Sequence, residues 1–155
     1  MPIHVDFNAL PTAYVSGEVP SVCIAYTAVT YHLSPRILLA VLKAENGRSG
    51  VESPNANKST DIGPMQVNSR WLPLLATYGI TREQLRDDGC VSVWVGGWIL
   101  RMDIDSMTGF WRGVGAYNSR TSTPGHDINA GYAVRVSRNL DKLSWVEAAL
   151  FGLSW

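Results

Sequence analysis

The chain contains few of the side chains that bind metals or build networks of disulfides. Its 155 residues include two cysteines, Cys23 and Cys90, and three histidines. These residues are scattered, and none shows the CxxC or HExxH spacing of common metal sites. We therefore expect no metal ion and no other cofactor. Two distant cysteines leave open whether they are free and buried or joined in a disulfide.

The sequence also lacks a surplus of charge of one sign and a long apolar run. It has 13 basic and 13 acidic side chains and a formal net charge of zero, whereas binding to nucleic-acid phosphates depends on a basic excess. No apolar run approaches the roughly 18–20 residues that a membrane span requires. With 46% hydrophobic and 17% charged residues, the chain is not a disordered tail. We expect a globular protein that binds no nucleic acid and has no membrane span.

The two ends of the chain differ from its middle. Residues 1–8 lack the basic and apolar regions of a signal peptide, so the protein is predicted to be cytoplasmic or to have lost a signal already. Residues 1–19 are expected to be irregular, and residues 144–155 to form an apolar helix that packs on the domain or meets a partner. The remaining residues, 20–143, have the length of one domain.

Apolar residues recur at helical spacing along most of the chain, which predicts a mainly α fold with a single domain. Helices are expected at 20–32, 35–45, 65–77 with a break at Pro73, 91–102, 108–117 and 131–143. Thr81 opens a capping box for a further short helix. Long polar loops are expected at 47–64 and 119–129. The first of these follows a helix that should begin with Ser34 as its N-cap and Pro35 at its first position, and end before Gly47.

Six tryptophans are many for a domain of this size. Four of them fall at helical positions and are predicted to pack in the core rather than to bind sugars: Trp71, Trp94, Trp98 and Trp111. Within the segment 91–102, Gly96 and Gly97 are expected to allow a close helix crossing.

Glu45 is the most informative residue of the chain, because it places a charged side chain on the apolar face of a helix. It lies three residues after Leu42, four after Val41 and seven after Leu38, so it extends the apolar stripe of its own helix. Burial and the negative end of the helix dipole would both raise its pKa. A carboxylic acid that stays partly protonated near neutral pH can protonate the leaving oxygen of a glycoside. Alternatively, the helix end frays and Glu45 turns to water.

Glycoside hydrolysis ordinarily uses a second carboxylate. The polar loop 47–64 offers two, Glu52 and Asp61. Asp61 is simply explained as a turn or capping residue, and Glu52 has no feature beyond its polar surroundings. The residues alone select neither of them as a nucleophile or second base.

Four segments together resemble the lytic transglycosylases, the soluble-transglycosylase type of lysozyme-like domain. They are 34–47, which ends just after Glu45, 61–68 with its Asp-Ile-Gly-Pro-Met-Gln run, 113–119, and 131–136. The resemblance covers residues 21–140 and is closest to the small specialised enzymes that accompany type IV secretion and conjugation machines. It implies a lysozyme-like fold and cleavage of the β-1,4 bond between N-acetylmuramic acid and N-acetylglucosamine in peptidoglycan, with 1,6-anhydro ends.

The resemblance assigns roles to particular residues. Glu45 would be the single catalytic acid and base, which removes the need for a second carboxylate because the substrate's N-acetyl group can stabilise the cationic centre. The residues implied in substrate binding are Asn46, Met65, Gln66, Tyr117, Asn118 and Tyr132. Met65 and Tyr132 could instead be plain core residues, and Tyr117 could bury its ring.

The same resemblance pairs Cys23 with Cys90 in a disulfide, and it implies a periplasmic or secreted monomer. The expected partners are peptidoglycan strands and proteins of a secretion or conjugation machine. Two departures from the family pattern stand out: Asn46 replaces the usual serine after the glutamate, and Pro64 stands where many relatives have leucine. A muramidase that hydrolyses the same bond and a non-catalytic glycan-binding component remain as alternatives.

Overall fold

Seven α-helices and two small antiparallel sheets make up the described part of this computed structural model, namely residues 14–15, 18–118 and 130–143. The helices are α1 (Ser21–Thr30), α2 (Pro35–Glu45), α3 (Leu72–Thr77), α4 (Arg82–Asp87), α5 (Gly89–Ser106), α6 (Phe110–Asn118) and α7 (Ala130–Asp141). The strands are β1 (Tyr14–Val15), β2 (Val19–Pro20), β3 (Glu52–Pro54), β4 (Thr60–Ile62) and β5 (Val67–Asn68). The mainly α prediction is confirmed.

Helix α5 lies at the centre of the helical layer because its small residues let neighbours approach closely. A Cβ on Gly97 would lie 2.3 Å from Thr27 Cγ2 of α1, and one on Gly96 would lie 2.6 Å from Met65 Cε. Each glycine costs a helix about 1 kcal/mol relative to alanine, so the close packing against α1 and Met65 offsets an intrinsic penalty. The helix and the close crossing predicted for this segment are both present.

Helix α2 runs through the core and carries Glu45 at its last position. Its residues 37–42 are buried, and α7 packs across it, with Asn139 Nδ2 donating to Ala40 O at 3.2 Å. Pro35 occupies the first turn as predicted, although the side chain of Ser34 makes no capping hydrogen bond. The apolar stripe of α2 thus fixes the depth at which Glu45 is held.

The end of α2 differs from the prediction that Gly47 closes it. Asn46 takes the left-handed conformation (φ 53°) and its N–H donates to Leu42 O at 3.2 Å, because asparagine tolerates this region better than other residues with side chains. Gly47 serves another purpose, since a Cβ there would lie 2.3 Å from Gly63 O. The chain needs a glycine where the loop after α2 touches the turn at residues 63–64.

Two segments differ from the helices and loops predicted for them. The polar segment 47–64 contains the hairpin β3–β4, and β5 adds to it in the order β3-β4-β5. Residues 65–71 are not α-helical: residues 65–66 lie in a turn, β5 follows, and Ser69–Trp71 form a short 3-10 helix. Helix α3 starts only at Leu72, with Pro73 in its first turn. Strands of two or three residues are too short to show a clear alternating pattern.

The N-terminal prediction needs a smaller correction. Within residues 1–19, which were expected to be irregular, Val15 pairs with Val19 in an antiparallel hairpin of β1 and β2. Residues 1–13, the polar loop predicted at 119–129 and the apolar helix predicted at 144–155 lie outside the described residues. No helix of the described residues is long and apolar enough to cross a membrane.

A disulfide joins helices α1 and α5. Cys23 of α1 is bonded to Cys90 at the start of α5, with their Cα atoms 5.2 Å apart. The pairing implied by the family resemblance is present. Disulfides persist in oxidising compartments and are rare in the cytosol, so the bond argues for a protein that works outside the cytoplasm.

Candidate active site

A groove of about 740 Å³ opens between the end of α2, the three-stranded sheet and the end of α6. Its size is within the range of small-molecule and cofactor sites. The residues that line it are mostly polar: Glu45, Asn55, Ala56, Asn57, Asp61, Gln66, Val67, Asn68, Arg70, Trp71, Ile99, Tyr117 and Asn118. Such a lining suits a ligand rich in hydroxyl and amide groups.

Glu45 lies in this groove with its carboxyl group largely removed from water. Burial raises its pKa from 4.5 to about 7, and the nearby negative charge of Asp61 adds to the rise. A hydrogen bond from Tyr132 and the positive charge of Arg135 act in the opposite direction but are smaller than the effect of burial. The carboxyl group is therefore about half protonated at neutral pH, as the spacing along α2 predicts.

Tyr132 of α7 holds the carboxyl group in place. Its hydroxyl donates a hydrogen bond to Glu45 Oε1. Tyr132 is buried, and its burial together with the charge of Glu45 raises its own pKa well above 10, so it remains a proton donor at any working pH. Arg135 lies one turn further along α7, with its guanidinium 5.3 Å from the centre of the Tyr132 ring.

Gln66 and Tyr117 both line the groove, and the turn around residue 65 positions them. Gln66 has a left-handed backbone (φ 49°), and its side-chain Nε2 donates to Gly63 O at 2.9 Å. The Tyr117 hydroxyl donates to Met65 O at 2.8 Å. Ser92 of α5 fixes the same turn, because its Oγ accepts from Met65 N at 3.1 Å.

Three other predicted binding residues occupy different environments. Met65 is fully buried and does not line the groove, so its side chain belongs to the core and its backbone supports Tyr117. Asn46 is exposed at the end of α2 and is not among the lining residues. Asn118, the last residue of α6, lines the groove.

Of the two candidates for a second carboxylate, only Asp61 is among the residues that line the groove. Asp61 lines the groove and accepts a hydrogen bond from Asn68 Nδ2 at 2.8 Å. Glu52 does not line it and pairs with Arg82 at 2.6 Å on the other side of the sheet hairpin. The hydrogen bond from Arg82 lowers the pKa of Glu52, which makes it an ordinary ion-paired surface carboxylate.

Sequence reasoning missed several groove residues because they come together through strand pairing. Register places Asp61 opposite Asn68, and the side chain of Asn68 also donates to Ser59 Oγ at 2.9 Å. Asn55 and Asn57 reach the groove from the turn of the hairpin β3–β4. The abundance of asparagine in the polar segment 47–64 was the one available signal.

The four tryptophans that were predicted to lie in the core differ in their exposure. Trp94 and Trp98 are half-buried. Trp71 packs edge-on against Trp98, with ring centres 5.4 Å apart, and at the same time lines the groove. Trp111 is 41% exposed on α6. The core assignment is therefore wrong for Trp111 and incomplete for Trp71.

The raised pKa of Glu45 makes the stability of the protein depend on pH. Its folded pKa of about 7 lies above the unfolded value of about 4.5, so its stabilising contribution is complete below pH 4.5 and lost as the pH rises through 7. At about 1.4 kcal/mol per pKa unit, the loss is about 3 kcal/mol. We expect Glu45→Gln, which cannot ionise, to be about 3 kcal/mol more stable than the unmodified protein at pH 8.

Urea unfolding of both proteins between pH 4 and pH 8 measures this difference. The advantage of Glu45→Gln should vanish at pH 4, where both side chains are neutral. Glu83→Gln, a change at an exposed position of α4, is the matched control for the loss of one acidic side chain. A constant difference between Glu45→Gln and the unmodified protein at every pH would contradict the assigned pKa.

The domain is mainly helical, a half-buried and partly protonated glutamate ends a helix beside a polar groove, and a small antiparallel sheet forms one wall. This is the architecture of a lysozyme-like glycan-cleaving enzyme. Within residues 14–15, 18–118 and 130–143, no three His, Cys, Asp or Glu side chains cluster as metal ligands would.

Comparison with known proteins gives the family. Residues 22–135 match the family described as "Transglycosylase SLT domain", and the chain belongs to it. It is 38% identical over 120 residues to "Invasion protein IagB" of Salmonella typhi, covering 76% of this chain and 74% of that protein. "X polypeptide" of Escherichia coli is 32% identical over 120 residues, covering 75% and 70%. "Protein IpgF" of Shigella flexneri is 29% identical over 109 residues, covering 70% and 72%.

The chain is therefore a lytic transglycosylase with a lysozyme-like domain, and its substrate is peptidoglycan. The family and the disulfide between Cys23 and Cys90 together indicate an enzyme that works outside the cytoplasm. The predicted family, enzyme class and fold class are confirmed.

Proposed function

We propose that Glu45 is the catalytic residue, and that it cleaves the bond between N-acetylmuramic acid and N-acetylglucosamine with formation of 1,6-anhydro ends. The observation that carries the proposal is the buried carboxyl group of Glu45, held by Tyr132 at the side of the groove with a pKa of about 7. A general acid works best when its pKa lies near the working pH.

The reaction takes place in two steps with one carboxyl group. In the first, Glu45 gives its proton to the glycosidic oxygen, and the bond from that oxygen to C1 of the muramyl sugar breaks while the sugar's N-acetyl oxygen bonds to C1. In the second, the Glu45 carboxylate takes the proton of the muramyl 6-hydroxyl as its oxygen attacks C1 and displaces the N-acetyl oxygen. The acid is thereby regenerated, and no water is consumed.

Other groove residues have supporting roles in this proposal. Gln66, Tyr117 and Asn118 line the groove with amide and hydroxyl groups that can bind the sugars. Tyr132 acts through Glu45 and is a positioning residue. Met65 and Asn46, which the family resemblance implied in binding, contribute through the backbone turn beside Tyr117 and through the end of α2.

The products distinguish this reaction from hydrolysis. Purified sacculi digested in water enriched in oxygen-18 should release muropeptides with anhydro ends, one water lighter than reducing ends, and without the heavy isotope. Mass spectrometry of the fragments measures both properties. Reducing ends that carry oxygen-18 would show that water, and not the 6-hydroxyl, attacks C1.

One observation favours a muramidase as the second candidate. Asp61 lines the same groove and lies near enough to Glu45 for its charge to raise the glutamate's pKa. A carboxylate in that position could activate a water or stabilise the cationic centre in a hydrolytic reaction. The isotope experiment decides between the two reactions.

The acid role of Glu45 predicts the pH profile of the enzyme. With a pKa of about 7, the protonated form falls tenfold for each pH unit above that value. We expect kcat/KM on soluble glycan strands to decline with this slope above about pH 7. A decline that is already complete near pH 5, as for an ordinary glutamate, would contradict the proposal.

We further propose a periplasmic enzyme that opens the cell wall locally for an envelope-spanning secretion or conjugation machine. The name of one relative, "Invasion protein IagB", supports this role. In a strain that lacks the chromosomal copy, transport by the machine should be reduced and should recover with the unmodified protein but not with Glu45→Gln. Equal recovery with both would show that wall cleavage is not the contribution.

A further inference from the structure

Arg70 places a positive charge in a groove whose other ionisable side chains are carboxyl and phenol groups. It is the only cation among the described residues that line the groove, and it is exposed. Other arginines of the described residues form ion pairs, for example Arg82 with Glu52 at 2.6 Å and Arg101 with Asp105 at 2.5 Å. Among residues 14–15, 18–118 and 130–143, no carboxylate pairs with Arg70.

The backbone under Arg70 is held firmly, so its side chain emerges from a defined point of the wall. Its N–H donates to Asn68 Oδ1 at 3.1 Å, which caps the 3-10 turn at Ser69–Trp71. The next residue, Trp71, packs edge-on against Trp98 of α5. Asn68, Arg70 and Trp71 all line the groove, so Arg70 lies between two other lining residues.

The sugars of a peptidoglycan strand give such a cation no anionic partner. Their hydroxyl and acetamido groups are neutral and suit the amides of Asn57, Gln66 and Asn68 in the same groove. The negative charges of the strand lie on the substituent of the muramyl sugar, either on carboxylates of the stem peptide or on the lactyl carboxylate once the peptide is removed. Guanidinium groups bind carboxylates through paired, charge-assisted hydrogen bonds.

The acidic side chains of the groove also favour binding of an anionic group of the substrate at Arg70. Asp61 and the ionised form of Glu45 repel a carboxylate, whereas Arg70 attracts one. The charge distribution therefore favours one placement of a strand that carries a charged substituent.

We propose that Arg70 binds a carboxylate of the muramyl substituent and makes the enzyme prefer strands that carry this charge. The proposal rests on the proposed function, since it assumes that a glycan strand occupies the groove. It gives the enzyme a preference for the chemical state of the substituent, beyond recognition of the sugars.

Three soluble, uncrosslinked strands test it: strands with intact stem peptides, strands whose stem carboxylates are amidated, and strands stripped of peptide by an amidase, which exposes the lactyl carboxylate. Binding is measured by calorimetry with Glu45→Gln as the background, so that nothing is cleaved during the titration. Cleavage is measured in parallel with the protein that keeps Glu45. Arg112→Gln, which removes an exposed arginine of α6 outside the groove, is the matched control for net charge.

We expect Arg70→Gln to raise Kd and KM for carboxylate-bearing strands by about threefold to tenfold, as for a partly exposed charge-assisted contact, with little change in kcat. The loss should be absent on the amidated strands and absent for Arg112→Gln on all three. A loss on intact strands alone assigns the contact to a stem-peptide carboxylate, a loss on stripped strands alone assigns it to the lactyl carboxylate, and a loss on both shows that Arg70 accepts either.

Two results would overturn the proposal. In the first, Arg70→Gln binds every strand as tightly as the Arg112→Gln control does. In the second, Arg70→Gln loses the same affinity for amidated strands as for charged strands, and this equal loss would indicate that Arg70 contacts the sugars. Failure of the proposed function would look different. In that case the protein with Glu45 would cleave none of the strands, whatever residue stands at position 70.

Discussion

Glu45→Gln is expected to lower kcat on peptidoglycan by about 10²–10⁴-fold, the usual range for removal of a general acid or base. The glutamine has almost the same shape, and its amide oxygen can still accept the hydrogen bond that the Tyr132 hydroxyl donates. It can neither protonate the leaving oxygen nor take the proton of the 6-hydroxyl. The loss should therefore lie in kcat, with substrate affinity largely retained.

Release of anhydro-muropeptides from sacculi, followed over time, measures this effect. Circular dichroism should show the same helical spectrum for the variant and the unmodified protein, which separates lost chemistry from lost structure. Glu83→Gln, an exposed carboxylate of α4, should keep full activity. An active Glu45→Gln enzyme would remove the acid–base assignment, and attention would move to Asp61 as the remaining groove carboxylate.

Loss of the disulfide between Cys23 and Cys90 is expected to cost about 4 kcal/mol of stability. The bond closes a loop with a sequence separation of 67 residues, and the entropy of closing such a loop in the unfolded chain gives this value at 25 °C. For a chain of this length, we expect the melting temperature to fall by roughly 8–16 °C. The bond ties α1 to α5, the helix whose Ser92 also supports the turn at Met65.

Thermal unfolding with and without a reducing agent, and of the double variant Cys23→Ala/Cys90→Ala, measures the contribution. The double variant should melt near the reduced protein, and the reducing agent should leave its melting temperature unchanged. Two reactive thiols in the denatured, unreduced protein would contradict the bond. An unchanged melting temperature on reduction would show that the loop adds nothing to stability.

The position of Glu45 could be predicted because helical geometry is local. A residue three and four positions after Leu42 and Val41 shares their face of the helix, whatever the rest of the chain does. Burial of that face then decides the direction of the pKa. The capping box at Thr81 was predictable for the same reason, and both of its hydrogen bonds are present, at 3.1 Å and 2.9 Å.

The end of α2 shows where local reasoning stops. Gly47 looks like the usual glycine after a helix, yet Asn46 adopts the left-handed conformation, and the glycine is needed because Gly63 approaches from the sheet. The requirement comes from a residue 16 positions away along the chain. Met65 follows the same rule, since it fits into the space that Gly96 leaves on α5.

Local sequence was enough to predict most of the helices and the raised pKa of Glu45, because each of these depends on residues within a few positions of one another. The groove was not specified in this way. Asp61, Asn68 and Arg70 reach it only after short strands pair and a 3-10 turn forms, and Tyr132 meets Glu45 only when α7 packs across α2. These contacts depend on the packing of distant segments, and that packing brings Arg70 into the wall of the groove.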